Sequence, residues 1–235
     1  MKHVISGYRV PILLLCFVAS SIFSAGAGFA DTVPIGREYQ GPKCVITVAD
    51  FALQVPGAPQ EIGDGLREML QTALFESNYF IVVDRLDSGG ISAEQLLSDS
   101  FMADADAILQ QGMMDPAEVL IYGTLISLEG GGAGLRVKMP WMPLNAGGKY
   151  YKAKASVELR AVDSASGRVV AAATVDSSAK STQGELGGTF GGIDLPAELE
   201  LFRNTPLELC IRDCIYRGVL DIVQKIPKEL YRHSD

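Results

Sequence analysis

Tyr151-Lys-Ala-Lys-Ala-Ser-Val-Glu-Leu-Arg-Ala161 alternates apolar residues with polar or charged ones, and Leu135-Arg-Val-Lys-Met-Pro-Trp141 shortly before it does the same. Successive side chains of a strand point to opposite faces, so a period of two gives each segment one apolar and one wet face, and the pair reads as a two-faced β-hairpin. Such a hairpin can lay its apolar face over a soluble core, or it can form part of a barrel wall with lipid outside and water inside. In either case Tyr151, Ala153, Ala155, Val157, Leu159 and Ala161 share one face, and Lys152, Lys154, Ser156, Glu158 and Arg160 the other. Trp141, Tyr150 and Tyr151 lie around the tip, where aromatic rings serve cross-strand packing or a membrane interface. The residues leave both open.

Upstream, strands alternate with helices. Cys44-Val-Ile-Thr-Val-Ala-Asp-Phe51 is a short apolar, β-branched run and predicts a buried strand; Pro56-Gly-Ala-Pro59 marks a loop. Ile62, Leu66, Met69, Leu70, Ala73 and Leu74 recur at helical spacing up to Ser77-Asn78, and Tyr79-Phe-Ile-Val-Val-Asp-Arg85 predicts a second strand. After the Asp87-Ser-Gly-Gly90 turn, Ser92-Ala-Glu-Gln95 reads as a capping box opening a helix through Leu96, Leu97, Phe101, Ala105 and Leu109 to about Gln111. Val119 to Ile126 predicts the third strand.

From Glu129 to about Arg203 the pattern changes to strands and turns alone, before Thr205 and Pro206 open a last helix with an apolar stripe from Leu207 to Val223. The expectation is therefore an α/β layer enclosing a β-only insertion. Gly130-Gly-Gly-Ala-Gly134 precedes an alternating strand instead of opening a helix, so it lacks the geometry of a phosphate cradle and reads as a bend.

Residues 1–30 read as a signal peptide: Lys2 and Arg9 precede an apolar run from Pro11 to Phe23, and Ala25-Gly-Ala27 or Gly28-Phe-Ala30 offers a cleavage site. Lipidation at Cys16 is the alternative, disfavoured because Leu15 precedes the cysteine and Phe17-Val18 continues the apolar run. The chain carries 20 Lys and Arg against 28 Asp and Glu, a net charge of −8. Loss of Lys2 and Arg9 with the leader makes it more acidic still, which argues against nucleic acid as a partner. Residues 31–235 have the length of one sizeable domain, with 31–43 as an extended leader.

The chemistry-bearing residues are sparse. His233 is the one histidine beyond the leader and sits in a tail expected to be mobile. That leaves little for a Ser-His-Asp triad or a histidine-based zinc site, and Cys44, Cys210 and Cys214 lack the paired short spacings of a structural zinc site. The three thiols read as small buried hydrophobes, the alternative being a disulfide in an oxidising compartment that would leave at least one of the three free or paired between chains. Asp50, Asp64, Asp84 and Glu118 stand at predicted strand ends or helix starts, where carboxylates more often cap helices than form catalytic pairs. Catalytic, cofactor and metal sites are therefore not expected, and the chain is expected not to be an enzyme.

Val45-Ile-Thr-Val-Ala-Asp-Phe51, Leu66-Arg-Glu-Met-Leu-Gln-Thr-Ala-Leu74 and Tyr79-Phe-Ile-Val-Val-Asp-Arg85 together resemble the CsgG/HfaB family of curli-type secretion components. The resemblance continues through Ala117-Glu-Val-Leu-Ile-Tyr-Gly-Thr124, Val157 to Arg168 with its Val162-Asp-Ser-Ala-Ser-Gly167 turn, and Thr205-Pro-Leu-Glu-Leu-Cys-Ile211. It implies an α+β fold: a periplasmic α/β layer domain with β-hairpins inserted at 128–203 and a closing helix at 205–226. It further implies a homo-oligomeric ring, nine-fold in the best-known member, whose copies pool two hairpins each into an outer-membrane β-barrel passing a secreted polypeptide by diffusion, with accessory periplasmic proteins as further partners. The hairpins would be about Leu128–Val162 and Arg168–Phe202. Tyr151, Ala153, Val157 and Leu159 would then face lipid, and Lys152, Lys154, Glu158 and Arg160 the lumen. A constriction loop would follow the first strand, here with Gln54, Pro56 and Gln60 and no aromatic side chain. Pro196 and the glycine-rich Gly187-Gly-Thr-Phe-Gly-Gly192 make the second hairpin poor barrel material. The rival expectation is a soluble periplasmic binding or assembly factor of the same fold without a membrane barrel.

Overall fold

A computed structural model describes residues 39–85, 88–98, 114–131, 151–181 and 195–234. Cys44-Val-Ile-Thr-Val48 is buried at every position, which requires cover on both faces of the strand. These residues open β1 (Cys44–Leu53). After a loop, α1 (Gln60–Glu76) turns Ile62, Leu66, Met69, Leu70, Ala73 and Leu74 inward. Asn78, at φ 61°, takes the left-handed conformation that ends helices and that asparagine tolerates better than most residues. β2 (Phe80–Val82) and β3 (Val119–Gly131) then flank β1 on either side, both parallel to it.

Between them, α2 (Ser88–Ser98) begins four residues ahead of the predicted cap. Ser92 and Gln95 lie within the helix, so no capping box opens it there. Gly89 and Gly90 read as a turn because glycine disfavours helix by about 1 kcal/mol each, but glycine can adopt helical angles and here does. The predicted continuation to Gln111 lies outside the described residues, as do residues 1–38 and Leu135–Trp141.

Tyr151–Ala161 belongs to β4 (Tyr151–Asp163), and its antiparallel partner is β3, from Val119 opposite Asp163 to Gly131 opposite Lys152. β5 (Val169–Ser181) pairs antiparallel with β4, completing one open sheet in the order β2-β1-β3-β4-β5. β4 and β5, which lie within the expected hairpin region 128–203, extend the sheet of the α/β layer itself. The reason is the length of β3, which runs five residues past the predicted end at Ile126 and gives β4 a partner along its whole length. The β4–β5 turn is closed by Asp163, whose Oδ1 accepts from the backbone N–H groups of Ala165 and Ser166 at 2.9 and 2.8 Å, while Gly167 takes φ +69°. Leu195 to Leu201, within the second expected hairpin, is mostly 3-10 helix (Ala197–Phe202) after Pro196, with Leu199 and Phe202 buried.

The last helix, α3 (Pro206–Lys225), starts as the sequence predicts. Thr205 Oγ1 accepts from the Glu208 N–H at 3.3 Å, and Glu208 Oε2 accepts from the Asn204 N–H at 2.6 Å. Its buried stripe includes Leu207, Cys210, Ile211, Cys214, Ile215, Val219 and Ile222. The Cys214 thiol points at the carbonyls of Ala155 and Val175, 3.5 Å from each, so α3 lies across β4 and β5. α1 and α3 enclose one apolar core with the sheet. Cys44, Cys210 and Cys214 are free within it, and burial pushes their thiols up to about 12, 11 and 12, so they stay protonated and pack as apolar groups.

Candidate functional site

The face of β4 expected to meet lipid is the face that α3 covers. Ala153, Val157 and Leu159 are 2 %, 0 % and 0 % exposed and join the core that contains Leu66 and Ile215. A methyl group placed on Gly218 of α3 would come within 2.7 Å of Leu159 Cδ1, so the helix approaches this strand as closely as a glycine permits. Ala153, Val157 and Leu159 thus lie under α3: alternation fixes that one face is apolar, and the matching apolar stripe of α3 takes up that face. Tyr151 is the first residue of β4.

The opposite face carries the predicted polar set and is open. Lys152, Lys154 and Arg160 are exposed and Glu158 is partly so. Across the three antiparallel strands, Lys152 stands between Gly131 and Lys180, Lys154 between Glu129 and Ser178, Glu158 between Thr124 and Thr174, and Arg160 between Tyr122 and Ala172. The Arg160 guanidinium lies 6.0 Å from the centre of the Tyr122 ring, and its Nε is 3.6 Å from Glu158 Oε1. Among the described residues this surface presents charges of both signs. Lys180 escaped the sequence reading. Its strand, Val169-Val-Ala-Ala-Ala-Thr-Val-Asp-Ser-Ser-Ala-Lys-Ser181, alternates with residues too small to mark the two faces strongly, and its exposed set emerges only once β4 is known as its neighbour.

The loop after β1 brings Gln54, Pro56 and Gln60 to the surface. Its root is fixed: the Gln54 N–H donates to the Leu125 carbonyl at 2.9 Å, and Val55 is buried. Gln54 and Pro56 thus lie in the exposed loop, and Gln60 is the exposed first residue of α1 at the loop's end.

His233 sits in an anchored segment, contrary to the expectation of a mobile tail. Lys43 and His233 form an antiparallel bridge, with N···O distances of 2.6 and 2.9 Å. Arg232 Nε donates to Glu118 Oε1 at 2.7 Å, and His233 Nε2 lies 3.1 Å from the same oxygen. Burial by itself would raise the Glu118 carboxyl, but the polar contacts and charges of His233 and Arg232 outweigh it and hold the group below the ordinary glutamate range. The signal for this clamp is a contact 114 residues apart in the chain, which no local pattern reports. It ties the C-terminal segment to the start of β3, and the Lys43–His233 bridge ties the same segment to the start of β1. Among the described residues no cluster of three or more metal-binding side chains occurs, and no helix is long and apolar enough to cross a membrane.

The family described as "Curli production assembly/transport component CsgG" matches residues 43–233. No curated protein matches the chain. Among solved structures, the hypothetical protein CT253 from Chlamydia trachomatis is similar at 14 % identity and a TM-score of 0.45, over 78 % of this chain and 97 % of that one. The PelC dodecamer from Paraburkholderia phytofirmans is similar at 10 % identity and a TM-score of 0.35, over 80 % and 95 %. The LpoB C-terminal domain from Salmonella enterica is similar at 12 % identity and a TM-score of 0.30, over 63 % and 87 %. With its strands, its closing helix and its C-terminal bridge all inside the matched span, the chain belongs to the CsgG family.

Proposed function

We propose that this protein is an exported, ring-forming assembly factor of the cell envelope that serves the passage of a polypeptide without building a membrane barrel from its own strands. The observation that carries this reading is the cover of α3 over β4 and β5. A barrel wall needs an outward apolar band about 25 Å tall, and the apolar faces of β4 and β5 among the described residues, Ala153 to Ala161 and Ala171 to Ala179, are committed to the core. Length adds support. In the connection from β5 to the 3-10 helix, Leu195 and Pro196 are buried, which leaves residues 182–194, thirteen in all and five of them glycine. At about 3.3 Å per residue it reaches roughly 20 Å out and back, short of two crossings. The family's description as an assembly and transport component supports a role in binding and assembly over catalysis. The exposed loop with Gln54 and Pro56, together with Gln60 at the start of α1, is the surface we assign to the passing chain, since amide side chains offer both donors and acceptors to an extended backbone.

One feature favours a second reading, a channel subunit. The connection between β3 and β4, residues 132–150, has nineteen residues and includes the alternating Leu135–Trp141, enough for a strand of about nine residues in each direction. Osmotic-shock release followed by electron microscopy in the absence of detergent separates the two. Rings that are released and persist without detergent support the assembly factor. Rings that require detergent support the channel, and a monomer under both conditions overturns both readings.

A further inference from the structure

We propose that Arg217 and Lys225 of α3 hold the free edge of β5 closed against a second copy of this chain, which would otherwise add its own β5 to the sheet. Of the two edge strands, β2 is blunted by its length of three residues, whereas β5 runs for thirteen and, among the described residues, pairs with β4 alone. A long edge of unpaired N–H and C=O groups is a template for another strand. On α3, Asp213, Arg217, Asp221 and Lys225 stand four residues apart, acid and base in turn, and the two bases reach this edge. Lys225 Nζ donates to the Ala172 carbonyl at 3.0 Å. Arg217 Nη1 donates to the Asp176 carbonyl at 3.2 Å and lies 3.1 Å from Asp213 Oδ2. Alternate residues of an antiparallel strand direct their backbone groups to the same side, so Thr174, Ser178 and Lys180 turn theirs to the free edge along with Ala172 and Asp176.

The charges on the strand name the occupant. Two copies of β5 meeting antiparallel with Ser178 on the two-fold axis place Asp176 of each copy opposite Lys180 of the other. Opposite charges across a ladder attract. An axis at Asp176 would instead set two aspartates face to face, and an axis at Thr174 would set Lys180 against Arg168. In the favoured register both copies keep their exposed side chains on one face, and both α3 helices lie on the other. Cys214 Sγ is 3.5 Å from the carbonyls of both Ala155 and Val175, so α3 sits between β4 and β5. At the usual strand spacing the two helices would come to roughly 10 Å, the separation of packed helices. The cations oppose this pairing. Arg217 takes the Asp176 carbonyl that the Lys180 N–H of a second copy would need, and each copy would bring like charges to the seam. The inference stands apart from the ring reading, because an isologous pair closes on two copies and cannot propagate into a ring.

Light scattering of the processed protein as isolated from the cell envelope, beside the double variant Arg217→Ala with Lys225→Ala, tests it. Whatever particle the parent protein forms, the variant should form one of twice that mass, with self-association on the order of a hundredfold tighter. Arg217→Ala alone should give more of this gain than Lys225→Ala alone, because Asp176 lies within the paired stretch and Ala172 at its margin. Adding Asp176→Lys should return the variant to the parent mass, and adding Lys180→Asp to that should restore the doubling. Ser178→Cys in the double variant should cross-link copies through a short bis-maleimide, which the three buried native thiols do not meet. Thr174→Cys, roughly 27 Å from its counterpart in this register, should not. If the double variant melts earlier than the parent protein, Arg217→Met with Lys225→Met keeps the apolar stems without the charge and should double in mass likewise. An unchanged mass in both double variants, or a doubling that survives Asp176→Lys, overturns the proposal. So does growth without limit, which would mean an open edge with no two-fold partner, or loss of the parent particle, which would make the two cations a contact between copies. The number of copies in the parent particle reports on the ring reading separately.

Discussion

The two halves of the sheet bury their strands differently. In the parallel half, β1 is inaccessible from Cys44 through Val48 without a break, whereas in the antiparallel half β5 buries Ala171, Ala173, Val175, Ser177 and Ala179 and leaves the residues between them exposed. The unbroken run belongs to a strand covered on both sides, and the alternating one to a strand with a helix on one side and water on the other. Alternation alone is silent on what lies against its apolar face. A lipid wall and a helix-covered sheet make the same demand on β4, and the choice is made about fifty residues later, where α3 supplies an apolar stripe of matching length.

The sharpest way to break this comparison is Leu159→Ala. On a face sealed by Gly218 and its neighbours, truncation leaves a cavity and should cost about 2–5 kcal/mol in urea unfolding of the processed protein. Glu158→Ala, one residue earlier and on the open face, should stay within about 0.5 kcal/mol. A Leu159→Ala cost near that of Glu158→Ala would mean that α3 does not cover the strand, and the barrel would return as the leading account.

The parallel half has its own close approach. Phe51 stands opposite Gly123 across the β1–β3 ladder, and a methyl group on Gly123 would come within 2.3 Å of the Phe51 ring. Gly123→Ala should therefore displace a fully buried aromatic and cost about 1–3 kcal/mol. Pairing it with Phe51→Leu should recover part of that loss; full additivity of the two costs would show that the ring and the glycine do not share the space.

What could be read from the chain follows the same division. β1, α1 and α3 were legible because each states its burial locally: a β-branched run, a helical stripe, and Thr205-Pro206 at a helix start. The two faces of β4 were legible too, but their environments were not, because the environment of Leu159 depends on Gly218 in α3. The partner of β4 was misplaced for a related reason. Leu135–Trp141 carries the louder alternation, yet β3 continues through Glu129, Gly130 and Gly131, where small residues mute the pattern. Of the candidate sites, Lys152 and Lys154 could be placed on an open face from sequence alone, while Lys180 and the Glu118–Arg232 contact needed the register and the fold.

Acid should act on the clamp between Glu118 and the C-terminal segment. Glu118 titrates below its unfolded value, so its contribution to stability is present above the ordinary glutamate pKa and is lost as pH falls through the folded value. Asp163 at the β4–β5 turn follows the same sign, its carboxyl held low by hydrogen bonds from Ser166 and Ala165. Glu118→Gln should cost about 1 kcal/mol near neutrality, a magnitude limited by the exposure of Arg232, and should flatten the fall in melting temperature below pH 5. An unchanged acid profile in that variant would show that the clamp adds nothing to the ordering of the C-terminus.

The smallest effect tests the open face by its one unfavourable rung. Lys152→Thr removes the repulsion with Lys180 and places a β-branched residue in a strand, so at low ionic strength the variant should gain about 0.2–1 kcal/mol over the parent protein. The electrostatic part of that gain should fade as salt shortens the Debye length, whereas the part due to strand preference should persist. Lys154→Thr is the matched control. It removes a lysine that faces Glu129, so its electrostatic change should have the opposite sign and fade with the same salt dependence. If both variants respond to salt alike, the two lysines sit in equivalent fields, and the contrast between a strained rung and a compensated one fails. If they diverge as expected, the protein carries a destabilising charge pair at the end of the sheet from which both connections leave.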